Sequence, residues 1–179
     1  ADTYSSCAIR GSHRVACWSN RTLEPRPKRR LGRVRALQTS LESGCAIRMS
    51  HRLVCWGDNY VGQLGDGTGR DRRRPRLVPR TGRVRSFATN GETVCAVRFS
   101  GRVLCWGDNG SGELGVGSLA ARSRVPRMVP GLRGARLVNG SFPGGPCVVG
   151  GGRSVRCWGD NSTGSLGDGT LADRLAPVP

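Results

Sequence analysis

The positions of cysteine and tryptophan constrain this chain more than any other feature of its sequence. Every cysteine belongs to one of four pairs whose members lie ten positions apart, and a tryptophan directly follows the second member of each pair. The pairs are Cys7/Cys17, Cys45/Cys55, Cys95/Cys105 and Cys147/Cys157, followed by Trp18, Trp56, Trp106 and Trp158. This self-similarity predicts four tandem copies of one structural unit in a single repeat domain, with repeats at approximately 1–30, 31–80, 81–131 and 132–179.

The segment between the two members of each cysteine pair has the pattern of a β-hairpin. From Cys95 to Cys105 apolar residues alternate with others, and a turn signal, Phe99-Ser100-Gly101, interrupts them at the centre. A three-residue loop with glycine in the left-handed conformation places the two cysteines directly opposite each other. The same register holds in the other copies and predicts one apolar face, formed in the third copy by Cys95, Val97, Val103 and Cys105.

Directly opposed cysteines on neighbouring strands come within disulfide reach. A disulfide in each pair would close a short loop and add roughly 2–3 kcal/mol of stability. This use of cysteine predicts an oxidising compartment, so the protein would be extracellular or on the cell surface. The alternative is that reduced cysteines pack as small apolar residues in a cytoplasmic protein. A zinc site is disfavoured, because the spacing of the pairs is not that of zinc ligands and no histidine joins them regularly.

A glycine-rich motif follows the tryptophan in the last three copies. It reads Gly-Asp-Asn and then Gly-x-Leu-Gly, beginning at Gly57, Gly107 and Gly159. Glycine supplies positive φ in tight turns, and Asp and Asn hydrogen-bond their own backbone there, so turn chemistry explains these carboxylates better than catalysis does. The first copy departs from the pattern, since Ser19-Asn20 follows Trp18. That copy has lost one turn–strand element or is degenerate.

The sequence contains no recognisable catalytic constellation. It has no nucleophile paired with a base, no metal-binding cluster and no phosphate-binding loop, which predicts a non-enzymatic protein without cofactor or metal. Its 28 glycines and 10 prolines favour short strands and tight turns, as in an all-β protein. No stretch approaches the roughly 18 apolar residues that a membrane span needs.

The string from Cys95 to Gly115 joins the hairpin, Cys-Trp-Gly-Asp-Asn and Gly-Glu-Leu-Gly, and it resembles repeats of the regulator of chromosome condensation family. The second to fourth copies resemble these repeats well, and the first only from Cys7 to Trp18. The resemblance implies a β-propeller with four-stranded blades, here about four of them. Because propellers of this family usually have about seven blades, we expect a fragment or open ring, a half-ring that self-associates through open blade edges, or a small ring.

The chain is strongly basic, with 29 basic and 12 acidic residues and a net charge of +17. A surface of this kind attracts acidic partners. The hairpin register also places arginines opposite one another on the face away from the cysteines, although opposed like charges destabilise a sheet. We therefore predict binding residues there and in a basic run after the second copy's turn, namely Arg10, Arg14, Arg48, Arg52, Arg98, Arg102, Arg72, Arg73 and Arg74. The alternative is that these arginines are simply solvated on exposed strands.

Together these features predict a non-enzymatic β-propeller scaffold that binds a protein partner with an acidic surface. A polyanion or nucleic acid is an alternative ligand, and contacts to its phosphates would make binding strongly salt-dependent. Family analogy supplies a different alternative, guanine-nucleotide exchange or a chromatin- or nucleic-acid-associated regulator.

Overall fold

The chain folds into four antiparallel β-sheets, which we call blades 1 to 4. The computed structural model describes residues 5–19, 22–40, 42–140, 144–151 and 154–179. Blade 1 contains β1 (Ser5–Ile9), β2 (Val15–Ser19) and β3 (Thr22–Pro27). Blade 2 contains β4 (Val34–Thr39), β5 (Ser43–Arg48), β6 (Leu53–Gly57) and β7 (Arg72–Leu77), and a single 3-10 turn, Arg29–Leu31, precedes it.

Blades 3 and 4 repeat this four-stranded arrangement. Blade 3 contains β8 (Val84–Thr89), β9 (Thr93–Arg98), β10 (Val103–Asp108) and β11 (Arg122–Met128). Blade 4 contains β12 (Leu137–Gly140), β13 (Pro146–Val149), β14 (Val155–Gly159) and β15 (Arg174–Val178). In every blade the strands pair in chain order. The predicted all-β propeller architecture is confirmed, and each blade lies inside one of the four predicted repeat ranges, whose exact bounds stay a prediction.

The four predicted hairpins have the predicted register. Cys95 lies directly opposite Cys105, and the other three cysteine pairs are opposed in the same way. The sulfur atoms of each pair lie at disulfide distance, between 2.06 and 2.11 Å. At the tip of the third hairpin Gly101 has a φ of 75°, and the tips of the first two hairpins place His13 and His51 in the same left-handed conformation.

The cysteine pairs of blades 2 and 3 are buried, and those of blades 1 and 4 are buried in part. Cys157 of blade 4 is buried, with 8% of its surface exposed, and its partner Cys147 is half-buried. The cysteines of blades 2 and 3 are at most 2% exposed, namely Cys45, Cys55, Cys95 and Cys105. Of the candidate site residues, the cysteines are therefore structural, and Cys157 contributes to the packing of blade 4 and not to a binding surface.

Both faces of the central hairpins are buried, whereas the sequence pattern predicted only one apolar face. We call the side that carries the cysteines the cystine face and the opposite side the tryptophan face. Between blades 2 and 3, Ile47 and Leu53 of the cystine face share one core with Val94 and Trp106 of the next tryptophan face. The same packing joins blade 3 to blade 4 and blade 1 to blade 2. We call the contact between blades 1 and 2 the first junction, that between blades 2 and 3 the second, and that between blades 3 and 4 the third.

Blade 1 differs from the others in its turn. Its last strand, β3, is present and pairs with β2, so no strand is missing after Trp18. What the first copy lacks is the glycine-rich turn loop, because Ser19 pairs with Thr22 and only residues 20–21 connect them. In blades 2 to 4 the first strands face one another, since β8 contacts both β4 and β12, and the last strand of each blade lies at the opposite edge of its sheet. No helix in the described part of the chain is long and apolar enough to cross a membrane.

Candidate binding face at the hairpin tips

Alternating strand direction sends the hairpin tips and the linkers between blades to one end of the molecule and the turn loops to the other. In blade 2, for example, β5 runs to the tip at 49–52, β6 returns, and β7 runs back to the linker at 78–83. We call the first end the tip face, which comprises the described residues 10–14, 28–33, 48–52, 78–83, 98–102, 129–136 and 150–151. We call the other the loop end, which comprises 40, 42, 58–71, 90–92, 108–121, 144–145 and 160–173.

The two ends carry opposite kinds of charge. Ten of the twelve acidic residues lie at the loop end, namely Glu42, Asp58, Asp66, Asp71, Glu92, Asp108, Glu113, Asp160, Asp168 and Asp173. Of the remaining two, Glu24 lies in β3 and Asp2 lies outside the described residues. The segments that define the tip face contain thirteen arginines and Lys28 but no Asp or Glu. A surface of one sign raises the local concentration of an oppositely charged partner and speeds its association.

Two of the six arginines predicted to form a row beside the tips hold the linkers instead. Arg48 donates from Nε to the carbonyl oxygen of Leu31, at 3.1 Å. Arg98 donates in the same way to the carbonyl oxygen of Thr81, at 2.7 Å, and also to that of Arg80. These bonds explain why the opposed arginines are tolerated in blades 2 and 3, because one member of each of these two pairs turns away to fix a linker. Arg10, Arg14, Arg52 and Arg102 are exposed.

An aromatic and basic cluster lies between the tips of blades 2 and 3. Arg35 donates to the ring of His51, with 2.8 Å between Nη1 and Nδ1. His51 meets the Phe99 ring edge-on, with 4.7 Å between ring centroids. The guanidinium carbons of Arg83 and Arg85 lie 5.1 and 5.0 Å from the centre of the same Phe99 ring. We call these five residues the Phe99 cluster.

The Phe99 cluster combines an exposed apolar surface with oriented cations. Phe99 is 40% exposed, and Met49 beside the neighbouring tip is 46% exposed. Desolvation, followed by the charges of Arg35 and Arg83, lowers the pKa of His51, so its ring is neutral at neutral pH and accepts the hydrogen bond from Arg35. Cation–π contacts hold arginines in place at little cost in hydration. This arrangement suits carboxylates that lie next to an apolar side chain.

The second predicted basic run is also divided between structural and exposed side chains. Arg72 donates from Nε to Asp66, at 2.7 Å, and so closes the turn loop of blade 2. Arg174 and Asp168 repeat this ion pair in blade 4, at 2.5 Å. Arg73 and Arg74 are exposed on the outer strand β7 and remain available to a partner.

At the loop end, buried asparagines organise each turn. The backbone N–H of Leu64 donates to Oδ1 of Asn59, at 3.0 Å, and Asn109 and Asn161 accept from Leu114 and Leu166 in the same way. These bonds confirm that the repeated Asn residues serve turn chemistry.

The acidic residues near these turns differ in pKa. The guanidinium of Arg174 and the hydroxyl of Thr170 lower the pKa of Asp168 to about 2. Burial and a hydrogen bond with Glu42 raise the pKa of Asp58 to about 6. No group of three or more His, Cys, Asp or Glu side chains in the described ranges could hold a metal ion.

Sequence comparison identifies the repeat. A model of the regulator of chromosome condensation (RCC1) repeat matches residues 50–97 and 100–139, and a second model of the repeat matches residues 84–113. Together these matches span half of the chain. The chain belongs to the regulator of chromosome condensation family. No curated protein matches the sequence.

Solved structures of this family share the fold. Human WBSCR16 superimposes with a TM-score of 0.83 at 23% identity, covering 97% of this chain and 50% of that protein. Prp20p from Saccharomyces cerevisiae, in a structure described with its binding to Gsp1p and histones, gives a TM-score of 0.80 at 20% identity, covering 97% of this chain and 48% of that protein. The chain therefore spans about half the length of these proteins.

The sequence reasoning missed the Phe99 cluster. Phe99 and His51 look like ordinary tip residues in the sequence. Arg35, Arg83 and Arg85 lie at or just before the first strand of a blade, where a single repeat indicates no function for them. The available signal was the string Gly-Arg-Val-Arg, which occurs at both 32–35 and 82–85. The function of this string depends on the packing of adjacent blades, because the residues of the cluster come from two repeats and come together only in the folded protein.

Proposed function

We propose that this family member is a non-enzymatic scaffold that binds the acidic surface of a protein partner through its tip face. The separation of charge carries the proposal, because the tip-face segments hold fourteen basic residues and no acidic one. Acidic side chains spread evenly around the blades would have neutralised this field. Electrostatic complementarity of this kind governs both the choice of partner and the rate of association.

The tip face offers specific contacts in addition to its field. The exposed arginines Arg10, Arg14, Arg52 and Arg102 lie on the same face as the Phe99 cluster, which supplies an aromatic anchor. Aromatic and arginine side chains are the commonest sources of binding energy at protein interfaces. Tight hairpins hold these groups, and the linkers are fixed by Arg48 and Arg98, so little ordering is required on binding.

The experiment compares two variants with the same change in charge. Arg83→Glu/Arg85→Glu reverses two cations of the Phe99 cluster, and Arg70→Glu/Arg127→Glu reverses two exposed arginines outside the tip face. The probe is a fluorescein-labelled acidic peptide rich in Glu with one Leu, and binding is followed by anisotropy at low and high salt. We expect roughly tenfold weaker binding for the tip-face variant and little change for the control. Equal losses in both variants would reduce the effect to overall net charge.

A polyanion or nucleic acid is the alternative ligand for the same face. The logarithm of its affinity would fall linearly with the logarithm of the salt concentration, and each phosphate contact would make the slope steeper. Guanine-nucleotide exchange or a chromatin-associated role is the alternative from family analogy, and for this chain it rests on family membership and fold alone.

Localisation follows from the redox state of the cysteines. The four cysteine pairs at disulfide distance support an extracellular or cell-surface protein, since disulfides persist in oxidising compartments. Thiol counting in denaturant without reductant should find no free thiol in protein isolated from its natural source. Eight free thiols would support a cytoplasmic location. Self-association through open blade edges stays a prediction, and light scattering coupled to gel filtration tests it.

A further inference from the structure

The turn loops of blades 2 and 3 each lie on the outer strand of the following blade, at a position that we call the seat. The loop of blade 2 lies on the outer strand of blade 3, where the N–H of Gly67 donates to the carbonyl oxygen of Arg124, at 2.9 Å. The loop of blade 3 repeats this contact on blade 4, where the N–H of Gly117 donates to the carbonyl oxygen of Leu175, at 2.8 Å. A particular position of the outer strand is thus used as the acceptor in both junctions.

Each seat also joins the loop to the tryptophan of the following blade. Trp106 donates from Nε1 to the carbonyl oxygen of Gln63, at 3.0 Å, and Trp158 donates to that of Glu113, at 2.8 Å. The next residue in each loop, Leu64 or Leu114, is buried in the junction. A seated loop therefore offers one backbone N–H, one backbone carbonyl and one leucine.

The first junction has the equivalent position on the outer strand of blade 2, but blade 1 supplies no turn loop to occupy it. Strand register makes Arg73 of β7 the equivalent of Arg124 and Leu175, because Arg72, Ser123 and Arg174 pair with the glycine that follows the tryptophan in their blades. Blade 1 has no turn loop to lay on Arg73. At this place the outer surface has an open cleft of about 650 Å³, lined by Arg30 and residues 71–76. Trp56 Nε1 has no acceptor among the residues that the structure describes.

The cleft is basic and largely free of counter-charges. Within the described ranges, Arg30, Arg73, Arg74 and Arg76 have no carboxylate within salt-bridge distance, since the two ion pairs there are Arg72–Asp66 and Arg174–Asp168. The one acidic residue of the lining, Asp71, accepts a hydrogen bond from the backbone N–H of Asn59, at 2.9 Å. An occupant of the cleft would therefore meet four unpaired guanidinium groups.

We propose that this cleft is a peptide-binding site, separate from the tip face, that takes an acidic loop of another protein in the place of the missing turn loop. The peptide backbone donates an N–H to the carbonyl oxygen of Arg73 and accepts from Nε1 of Trp56, as the internal loops do in their junctions. Its carboxylates pair with Arg30, Arg73, Arg74 and Arg76. Backbone bonds fix the register, and the arginines select acidic side chains.

The chain itself supplies the probe. A labelled peptide with the sequence of residues 57–68 contains the internal loop, its organising asparagine and two carboxylates. The control peptide carries Gly67→Pro, which keeps the charge and removes the N–H that bonds the seat. Two protein variants with equal changes in charge are compared, Arg73→Glu/Arg74→Glu in the cleft and Arg83→Glu/Arg85→Glu on the tip face.

We expect the cleft variant to bind the peptide roughly tenfold more weakly than wild type, and the tip-face variant to show a much smaller loss. The proline peptide should bind wild type several-fold more weakly than its parent, because one backbone hydrogen bond is lost. Absence of binding, equal binding of the two peptides, or equal losses in the two protein variants would each overturn the proposal. Thermal unfolding checks that the variants are folded. If Arg73→Glu/Arg74→Glu is not folded, Arg73→Ala replaces it. The tip face is tested by a different variant, so either site can fail alone.

Discussion

The first and second junctions differ in one element, the turn loop of the preceding blade. In the second junction the loop of blade 2 buries Leu64 beside Trp106 and accepts the indole hydrogen bond. In the first junction no loop of the described residues bonds to Trp56, and the ammonium of Lys28 lies 4.8 Å from the centre of its ring. Lys28, the only lysine of the chain, occupies the strand-end position that Val78 and Val129 occupy in the other junctions.

This difference shows what the loop contributes to a repeat. The two-strand hairpin is sufficient to pack one blade on the next, since the first junction retains a buried core of Val15, Val54 and Trp56. The loop adds the leucine and the carbonyl that complete the tryptophan's surroundings. Where the loop is missing, the ammonium of Lys28 lies over the ring in a cation–π contact.

Truncation of the two tryptophans gives the largest expected effect. Trp106→Ala should lower the free energy of unfolding by about 3–5 kcal/mol, because it removes a fully buried ring and leaves the carbonyl of Gln63 unpaired. Trp56→Ala should cost about 1 kcal/mol less, since no such bond is lost. Urea unfolding followed by circular dichroism measures both. A larger loss at Trp56 would contradict the role given to the loop.

Removal of the disulfides should give the next largest difference in stability between the first and second junctions. Cys7/Cys17 and Cys45/Cys55 close loops of identical length, so the chain-entropy contribution of roughly 2–3 kcal/mol is the same for both. Cys45 and Cys55 are buried in the second junction, whereas Cys7 and Cys17 are half-buried in the first. The double alanine variant at 45 and 55 should therefore be the less stable by about 1 kcal/mol. Thermal unfolding under oxidising conditions tests the order, and the reverse order would contradict it.

A glycine substitution tests the contact between loop and ring directly. Gly65 has a φ of +64°, and a Cβ there would lie 2.6 Å from Nε1 of Trp106. Gly167 has a similar φ of +71°, but a Cβ would meet no heavy atom within 4 Å. Both alanine variants carry the left-handed cost of about 1–2 kcal/mol, and Gly65→Ala should lose about 1 kcal/mol more because the ring must shift. Equal losses in urea unfolding would mean that the loop yields without disturbing the tryptophan.

Replacement of Lys28 should give the smallest change. Burial lowers the pKa of Lys28, so a neutral side chain of similar length should fit the first junction better. We expect Lys28→Met to raise the free energy of unfolding by up to about 1 kcal/mol at neutral pH, with exposed Arg30→Met as the unchanged control. A decrease would show that the contact with the Trp56 ring outweighs desolvation.

The same lysine predicts a pH dependence. The pKa of Lys28 in the folded protein lies below the usual 10.5. Between these two pKa values the unfolded chain therefore keeps the Lys28 proton more often than the folded protein does, and stability rises with pH. The wild type should therefore gain stability over that interval relative to Lys28→Met. Parallel stability curves for the two proteins would contradict this assignment.

The site was predictable in part, and the errors have a common cause. Arg10, Arg14, Arg52, Arg102, Arg73 and Arg74 are exposed where the charge pattern expected a binding surface. Arg48, Arg98 and Arg72 are half-buried instead, because each donates to a linker carbonyl or a turn carboxylate. Whether an arginine finds such an acceptor depends on how linkers and loops lie beside it, which residue spacing does not reveal.

The amino-acid sequence by itself determined the repeat, the hairpin register and the opposition of the cysteines. These are local properties, since a turn signal and alternation over about ten residues fix which side chains share a face. Only the tertiary structure decided that both hairpin faces are buried, that acidic residues gather at one end, and that a loop missing from blade 1 leaves a basic cleft on blade 2. Each of these depends on contacts between blades that are distant in the chain, and packing rather than local pattern determines them.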